Sequence, residues 1–243
     1  MGEHTIREVL KRRSSETQRE LQKRRAQVMR GKHSRTPLLV LAIVVLAIAG
    51  VAVYATMLVN KMSDRFTADM VERDAHPVQN LSLQSITAFL PNTLLAVTDP
   101  GFYDAGATAV SPVTSRLLRI YFPDASVLAI RAMATAAQFK FTRTDILEAY
   151  VNDVSMGQDG DKPVVGLVAA SQVYFHKPFA QLQPQEIALL VAMMANPQQN
   201  DPRRFPAKAL AGRNEVLEAD AQQDVLSQDQ ADALSKTPLG VAP

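Results

Sequence analysis

Two aspartates flank a glycine at Asp159-Gly160-Asp161, an acidic pair of the kind that could bind a metal ion. No alternation typical of a β-strand precedes the pair, so we expect it to be structural. The histidines are scattered among unlike segments, and their spacing does not predict a zinc site. They are His4, His33, His76 and His176. We therefore predict no bound metal and no cofactor.

The composition excludes several other classes of chemistry. The 243 residues include no cysteine, so no disulfide can stabilise the fold. They include no tryptophan, and aromatic residues make up only 6% of the chain. Nucleic-acid binders that stack bases usually present more aromatic surface than this. We expect no nucleic-acid partner.

Charge is distributed unevenly along the chain. Residues 1–35 carry eleven Lys and Arg against four Glu, a net charge of +7, whereas the whole chain carries +2. The remainder is therefore acidic. We interpret residues 1–36 as a solvated basic tail that touches anionic lipid head groups, with a specific cytoplasmic partner as the alternative.

A membrane-spanning segment follows the tail. Residues 38–59 contain no charge, and a helix of that length extends about 33 Å, enough to cross a bilayer. The apolar run starts too far from the N-terminus for a typical signal peptide, so an uncleaved anchor over residues 37–59 is favoured. Because basic residues concentrate before the run, the positive-inside rule places the N-terminus in the cytoplasm and residues 60–243 outside.

The outer region has mostly helical periodicity. Residues 60–80 are interpreted as a stalk, or in part as the end of the long helix. Pro91 should end or kink a helix within residues 82–97. Residues 157–163 are expected to form a loop, and no strand is predicted. Further helices are predicted over residues 114–122, 126–139, 144–154, 166–175, 184–196 and 206–226.

Several motifs in residues 81–243 resemble the glycosyltransferase family 51 domain, the peptidoglycan polymerase of class A penicillin-binding proteins and of their monofunctional relatives. Residues 145–152 (DILEAYVN) are similar to the family's ILELYLN helix, and residues 174–178 (YFHKP) to its YFGKP motif. Residues 213–217 (RNEVL) resemble RRNxVL, and residues 238–241 (PLGV) match the family's closing motif. Several matches in one order make chance resemblance improbable.

The resemblance implies a fold, a location and a substrate. It implies an all-helical, lysozyme-like domain of two lobes, truncated here, that acts on lipid II outside the bacterial cytoplasmic membrane. An anchor followed directly by this domain suits a substrate whose lipid tail stays in that membrane.

The family's first catalytic glutamate belongs to a VEDRRFYEH motif. Residues 97–105 (VTDPGFYDA) align with it, which places Thr98 at the glutamate and Ala105 at the histidine. Asp99 remains and could act as a displaced carboxylate, as could Asp104.

The next family motif, GGSTITQQLxKN, aligns with residues 109–120. Ser111 and Thr114 are kept, and Arg119 stands at the lysine, so the resemblance implies residual substrate binding by these residues. The paired glutamines are lost, and the segment between the two motifs is much shorter than in the family.

The second glutamate follows an RKxxE pattern. Alignment forward from Phe122 places Arg131 at the arginine and Thr135 at the glutamate, whereas alignment backward from Ile146 places Ile130 there. Neither alignment leaves a carboxylate. The resemblance implies that Arg116, Arg119 and Arg131 lie where the family binds pyrophosphate. One interpretation is that these arginines still bind an anionic lipid, and the other is that they are ordinary solvated side chains.

Two hypotheses follow from these losses. The favoured one is a catalytically inactive relative of the peptidoglycan polymerases that binds or scaffolds at the cell wall. It would associate with the cytoplasmic membrane, with lipid II or peptidoglycan, and with a protein partner in a cell-envelope assembly. The alternative is an active polymerase that uses a displaced carboxylate.

Overall fold

The computed structural model describes residues 17–23, 36–76, 79–84, 86, 88–104 and 110–242. The prediction of a mostly helical protein is confirmed. Residues 17–23 are helical and exposed; the rest of the basic tail lies outside the described residues. The later helices are α1 (Thr36–Ala75), α2 (Phe89–Thr98), α3 (Pro112–Tyr121), α4 (Val127–Lys140), α5 (Arg143–Asp153), α6 (Gly166–Phe175), α7 (Pro184–Ala195), α8 (Pro206–Gln222) and α9 (Gln228–Ser235).

Helix α1 is long and apolar enough to cross a membrane, judged by length and composition. Its apolar half is exposed, with Leu38 and Leu46 among the exposed side chains. The helix continues without a break through residues 60–75. One compact unit of the structure ends at Val53, and the next begins at Tyr54, inside this helix. The domain boundaries at residues 36, 59 and 80 stay predictions.

The polar end of α1 packs into the second unit through apolar side chains. Met62 and Phe66 are fully buried. The Phe66 ring stacks on Phe141 at a centroid distance of 4.6 Å and meets Tyr121 edge-on at 5.3 Å. Aromatic pairs in such geometries contribute about 1 kcal/mol beyond the area they bury. The residues read from sequence as a stalk therefore supply part of the core.

A polar cluster sits beside Phe66. Arg73 pairs with Asp69 one turn earlier on α1, and its guanidinium lies 3.6 Å from Asp153 on α5. The Tyr121 hydroxyl lies 2.7 Å from a carboxylate oxygen of each aspartate and can donate to either. Burial raises the pKa of Tyr121, and Asp153 raises it further, so the hydroxyl stays a donor at neutral pH. The cluster joins α1 to α3 and α5.

Pro91 does not end or kink a helix, contrary to the sequence expectation. Helix α2 begins at Phe89, so Pro91 lies in its first turn. The N–H groups of a first turn have no acceptor within the helix, so a proline there removes no hydrogen bond.

The core is centred on α7, which is buried along nearly its whole length from Glu186 to Met194. Glu186 is itself buried and accepts from the Gln183 backbone N–H at 2.8 Å and from Lys177 at 2.7 Å. This cap satisfies donors at the helix N-terminus. Helices α2, α6, α8 and α9 pack against α7.

The expected loop over residues 157–163 is instead part of a β-hairpin. Strands β1 (Ser155–Asp159) and β2 (Lys162–Val165) pair antiparallel. The pattern gave no strand signal because β1 is irregular and contains Gly157 at φ +102°. Gly166 follows at φ +77°, where an added Cβ would meet the Asn152 carbonyl oxygen at 2.4 Å. Only glycine fits there.

Arg213 is fully buried and holds the C-terminal residues against the domain through hydrogen bonds. Its guanidinium donates to the backbone oxygens of Ser235 at 2.8 Å and Thr237 at 2.9 Å. Helix α9, which the sequence analysis missed, ends at the first of these acceptors, Ser235. It is short and mostly exposed, so its apolar periodicity is weak.

A buried carboxylate joins α8 to α2. Asp220 is fully buried and accepts a hydrogen bond from the Thr93 hydroxyl at 2.9 Å. Its other carboxylate oxygen has no hydrogen-bond partner within the described residues. Burial raises the pKa of Asp220 to about 6, opposed only in part by the Thr93 hydrogen bond.

This raised pKa predicts that Asp220 contributes less to the stability of the domain as pH rises from 4 to 7. The folded state holds the proton more tightly than the unfolded state, so Asp220 favours folding at low pH and loses that contribution as pH passes through about 6. Asp220→Asn should raise unfolding stability at pH 7.5 by about 2 kcal/mol and change it little at pH 4. Thermal unfolding in detergent measures both, with exposed Asp161→Asn as the matched control. An equal effect of Asp220→Asn at the two pH values would contradict this assignment.

Candidate functional site

Thr98 lies in the last turn of α2, at the edge of a small cleft. Its hydroxyl donates to the Leu94 backbone oxygen at 2.6 Å, so the side chain is tied to its own helix. The cleft holds about 170 Å³, and its polar wall includes Arg116 from α3 and Glu215 from α8. The apolar wall is formed by Val191 and Ala192 of α7, among others.

Arg116 brings a positive charge to this cleft. It is exposed, and it lies beside Tyr150 of α5. Burial raises the pKa of Tyr150, and the nearby guanidinium opposes that shift. The sequence analysis grouped Arg116 with Arg119 and Arg131 as pyrophosphate-binding candidates. Arg119 is exposed on the same helix but does not line this cleft.

Asp99 connects two helices through a hydrogen bond. Its carboxylate accepts a hydrogen bond from the Ser111 hydroxyl at 2.6 Å, and the side chain is buried. The same Ser111 oxygen accepts from the Thr114 backbone N–H at 3.2 Å and so caps α3. Asp99 therefore fixes the end of α2 against the start of α3.

Ser111 and Thr114 lie inside the fold. Ser111 is 2% exposed, and Thr114 is fully buried with a hydroxyl that has no hydrogen-bond partner in the described part of the chain. A substrate would reach neither without a movement of α3. Their part in binding stays a prediction, and the geometry gives the Ser111 side chain a capping role.

The two positions aligned with the second glutamate lie on α4. Ile130 is 1% exposed and belongs to the core. The Thr135 hydroxyl donates to the Arg131 backbone oxygen at 3.0 Å, and the Arg131 side chain is exposed. Neither position offers a group that could take up a proton at neutral pH.

Glu215 is the residue that sequence reasoning missed. It lies in the cleft with Thr98 and Arg116, and it is exposed. The signal was available: Glu215 follows Arg213-Asn214 within the RRNxVL-like motif, and it lies three residues after Gly212, which lines the same cleft. Residues three apart on a helix share a face.

Asp159 of the acidic pair takes part in an ion pair. Among the residues that the structure describes, no group of three or more His, Asp or Glu could hold an ion. Asp159 pairs with Arg203 at 3.0 Å, and Arg203 also lies over the Tyr174 ring at 4.7 Å. The ion pair between Asp159 and Arg203 thus connects the hairpin to the segment before α8.

Comparison with known proteins identifies the domain. Residues 128–220 match the family model described as Transglycosylase. The chain carries a transglycosylase-family domain. The resemblance to glycosyltransferase family 51 is confirmed.

Relatives of the transglycosylase domain are large proteins. Penicillin-binding protein 1B of Escherichia coli K12 is 40% identical over 111 residues, 46% of this chain and 13% of that protein. Penicillin-binding protein 1B of Haemophilus influenzae is 28% identical over 197 residues, 71% of this chain and 25% of that protein. The crystal structure of penicillin-binding protein 1A from Haemophilus influenzae aligns with a TM-score of 0.46 at 20% identity, covering 67% of this chain and 18% of that one. The chain therefore spans a quarter or less of the length of these relatives.

The match to the transglycosylase family covers part of the cleft lining but neither Thr98 nor Arg116. The matched residues 128–220 include the hairpin, the core helix α7 and the buried Arg213. The cleft beside Thr98 is lined by an arginine, Arg116 of α3, and by a carboxylate, Glu215 of α8.

Proposed function

We propose that this protein is a membrane-anchored transglycosylase-family protein that binds lipid II or peptidoglycan without polymerising it, and that scaffolds a cell-wall assembly. The observation that carries the proposal is Thr98. The motif alignment made from the sequence assigns Thr98 to the family's first catalytic glutamate, and in the structure its hydroxyl donates to the Leu94 backbone oxygen of its own helix.

The chemistry explains why this position decides activity. Joining a glycan chain to lipid II requires removal of a proton from a sugar hydroxyl as that oxygen attacks an anomeric carbon. A carboxylate can take that proton, whereas a threonine cannot at neutral pH. Loss of a general base typically costs a factor of about 10² to 10⁴ in rate. Thr135 and Ile130, the candidates for the second position, supply no replacement.

Binding of the substrate requires arginine side chains but no catalytic carboxylate. Arg116 lines the cleft, and Arg119 and Arg131 are exposed on α3 and α4. Guanidinium groups form charge-assisted hydrogen bonds with phosphate oxygens. The pyrophosphate of lipid II is a ligand of this chemistry, and the family to which the domain belongs acts on such substrates.

A second function is favoured by one observation, the position of Glu215. A carboxylate in the same cleft as Thr98 and Arg116 is the arrangement that an active enzyme with a displaced base would need. Asp99, the displaced base expected from sequence, is less suited because its carboxylate holds the Ser111 hydroxyl.

We expect purified protein in detergent to bind lipid II but to form no glycan strands from it. Binding should weaken as salt rises, and Arg119→Ala with Arg131→Ala should weaken it about tenfold, because charge-assisted contacts to the pyrophosphate are lost. Lys162→Ala with Lys236→Ala removes the same charge from exposed positions elsewhere and is the matched control. Thr98→Glu alone should not restore polymerisation, since the second carboxylate would still be missing.

Two outcomes would overturn parts of this proposal. Glycan strands that form with the wild type and vanish with Glu215→Gln, but persist with Asp99→Asn and Asp104→Asn, would establish the displaced-base enzyme. Unchanged affinity in the Arg119/Arg131 variant would assign binding to other residues.

We further propose that the protein lies in the bacterial cytoplasmic membrane, spans it once, and has a cytoplasmic N-terminus with the domain in the periplasm. The basic residues before α1 support this orientation. An alkaline phosphatase fused after Pro243 should be active in cells, since that enzyme requires export. A fusion that is inactive while a cytoplasmic reporter at the same place is active would reverse the orientation.

A further inference from the structure

An open groove of about 690 Å³ runs between α1 and the turn that joins α3 to α4. Its lining on the α1 side is Tyr54, Leu58, Lys61 and Arg65. These residues lie three or four apart and therefore share one face of the helix. The opposite wall runs from Tyr121 to Ser126 and continues on α4.

The groove straddles a change from apolar to charged residues. Tyr54 and Leu58 belong to the charge-free run that ends at residue 59, and Lys61 is the first charge after that run. If α1 spans a bilayer, the groove lies at the level where acyl chains meet head groups. Tyrosine and lysine favour this level in membrane proteins.

Next to the groove, the first turn of α4 presents apolar side chains to solvent. Val127 is 62% exposed and Leu128 is 78% exposed. Large exposed apolar residues that adjoin a membrane-spanning helix fit insertion into the interface better than contact with water.

The two basic side chains of the groove each lie over an aromatic ring. The Lys61 Nζ lies 5.5 Å from the centre of the Phe122 ring, and the Arg65 guanidinium lies 5.0 Å from that of Tyr121. Within the described part of the chain, neither cation forms an ion pair with a carboxylate. Asp124 also lines the groove, so its net charge is positive.

We propose that this groove binds an anionic phospholipid from the leaflet that faces the C-terminal domain. Lys61 and Arg65 contact the phosphate of the head group, while Tyr54, Leu58 and Val127 contact the start of the acyl chains. The proposal requires only that α1 lies in a bilayer. It does not rest on lipid II binding, because the groove shares no lining residue with the cleft beside Thr98.

The test uses the absence of tryptophan from the chain. Phe122→Trp places the one tryptophan of the full-length protein in the groove, where it can be excited selectively over tyrosine. The protein is put in nanodiscs of phosphatidylcholine with a minor share of phosphatidylglycerol, and one of the two lipids carries brominated acyl chains at matched bromine content. Each interfacial cation attracts anionic lipid by roughly fivefold, so brominated phosphatidylglycerol should quench several times more strongly than brominated phosphatidylcholine.

Charge variants decide the assignment. Lys61→Gln with Arg65→Gln should abolish the preference for phosphatidylglycerol, whereas Lys162→Gln with Lys236→Gln should leave it intact. Asp124→Lys should strengthen it. Equal quenching by the two lipids in the parent, or a preference that survives loss of Lys61 and Arg65, would overturn the proposal. No quenching by either lipid would also overturn it and would indicate that protein fills the groove.

Discussion

The fold depends on how α1 enters the domain. Phe66 is buried between Phe141 and Tyr121, and one turn later Asp69 and Arg73 meet Tyr121 and Asp153. Removing one partner from a buried ion pair typically destabilises a protein by about 3 to 5 kcal/mol, because the other charge is left uncompensated. The segment that leaves the apolar run is therefore part of the domain core, and the groove, α3 and α5 all take their positions from it.

This attachment links the fold to the proposed function. A polymerase needs a cleft with carboxylates aligned on two long substrates, whereas a binding protein needs only a stable domain at the membrane. The structure shows a well-formed core, with the buried helix α7, its capping residue Glu186 and the buried Arg213. At the positions aligned with catalysis the side chains serve the fold instead, since Thr98 and Thr135 bond to their own helices.

Much of this could be predicted from the sequence, because helical periodicity, helix caps and short motifs are local signals. The apolar run and the helices of residues 112–195 could be predicted. The loss of the glutamates stays a prediction. The burial of the C-terminal end of α1 could not be predicted. Asp69 and Arg73 look like exposed charges in the sequence, because their partners Tyr121 and Asp153 come from distant positions. The same reason hid Glu215, whose place beside Thr98 depends on the packing of α8 against α2. The hairpin was missed because β1 is irregular and contains Gly157, which interrupts the alternation of a strand.

Hydrogen exchange over residues 60–75 in nanodiscs tests most directly whether α1 is part of the domain core. Amides of a cooperative core open only with the global unfolding reaction, whereas those of a fraying helix end exchange at much lower cost. The attachment described here predicts that residues 60–75 exchange as slowly as α7, and that Arg73→Ala releases them before it releases α7. Fast exchange of residues 60–75 in the wild type, with α7 still protected, would contradict it and would make this segment an independent stalk.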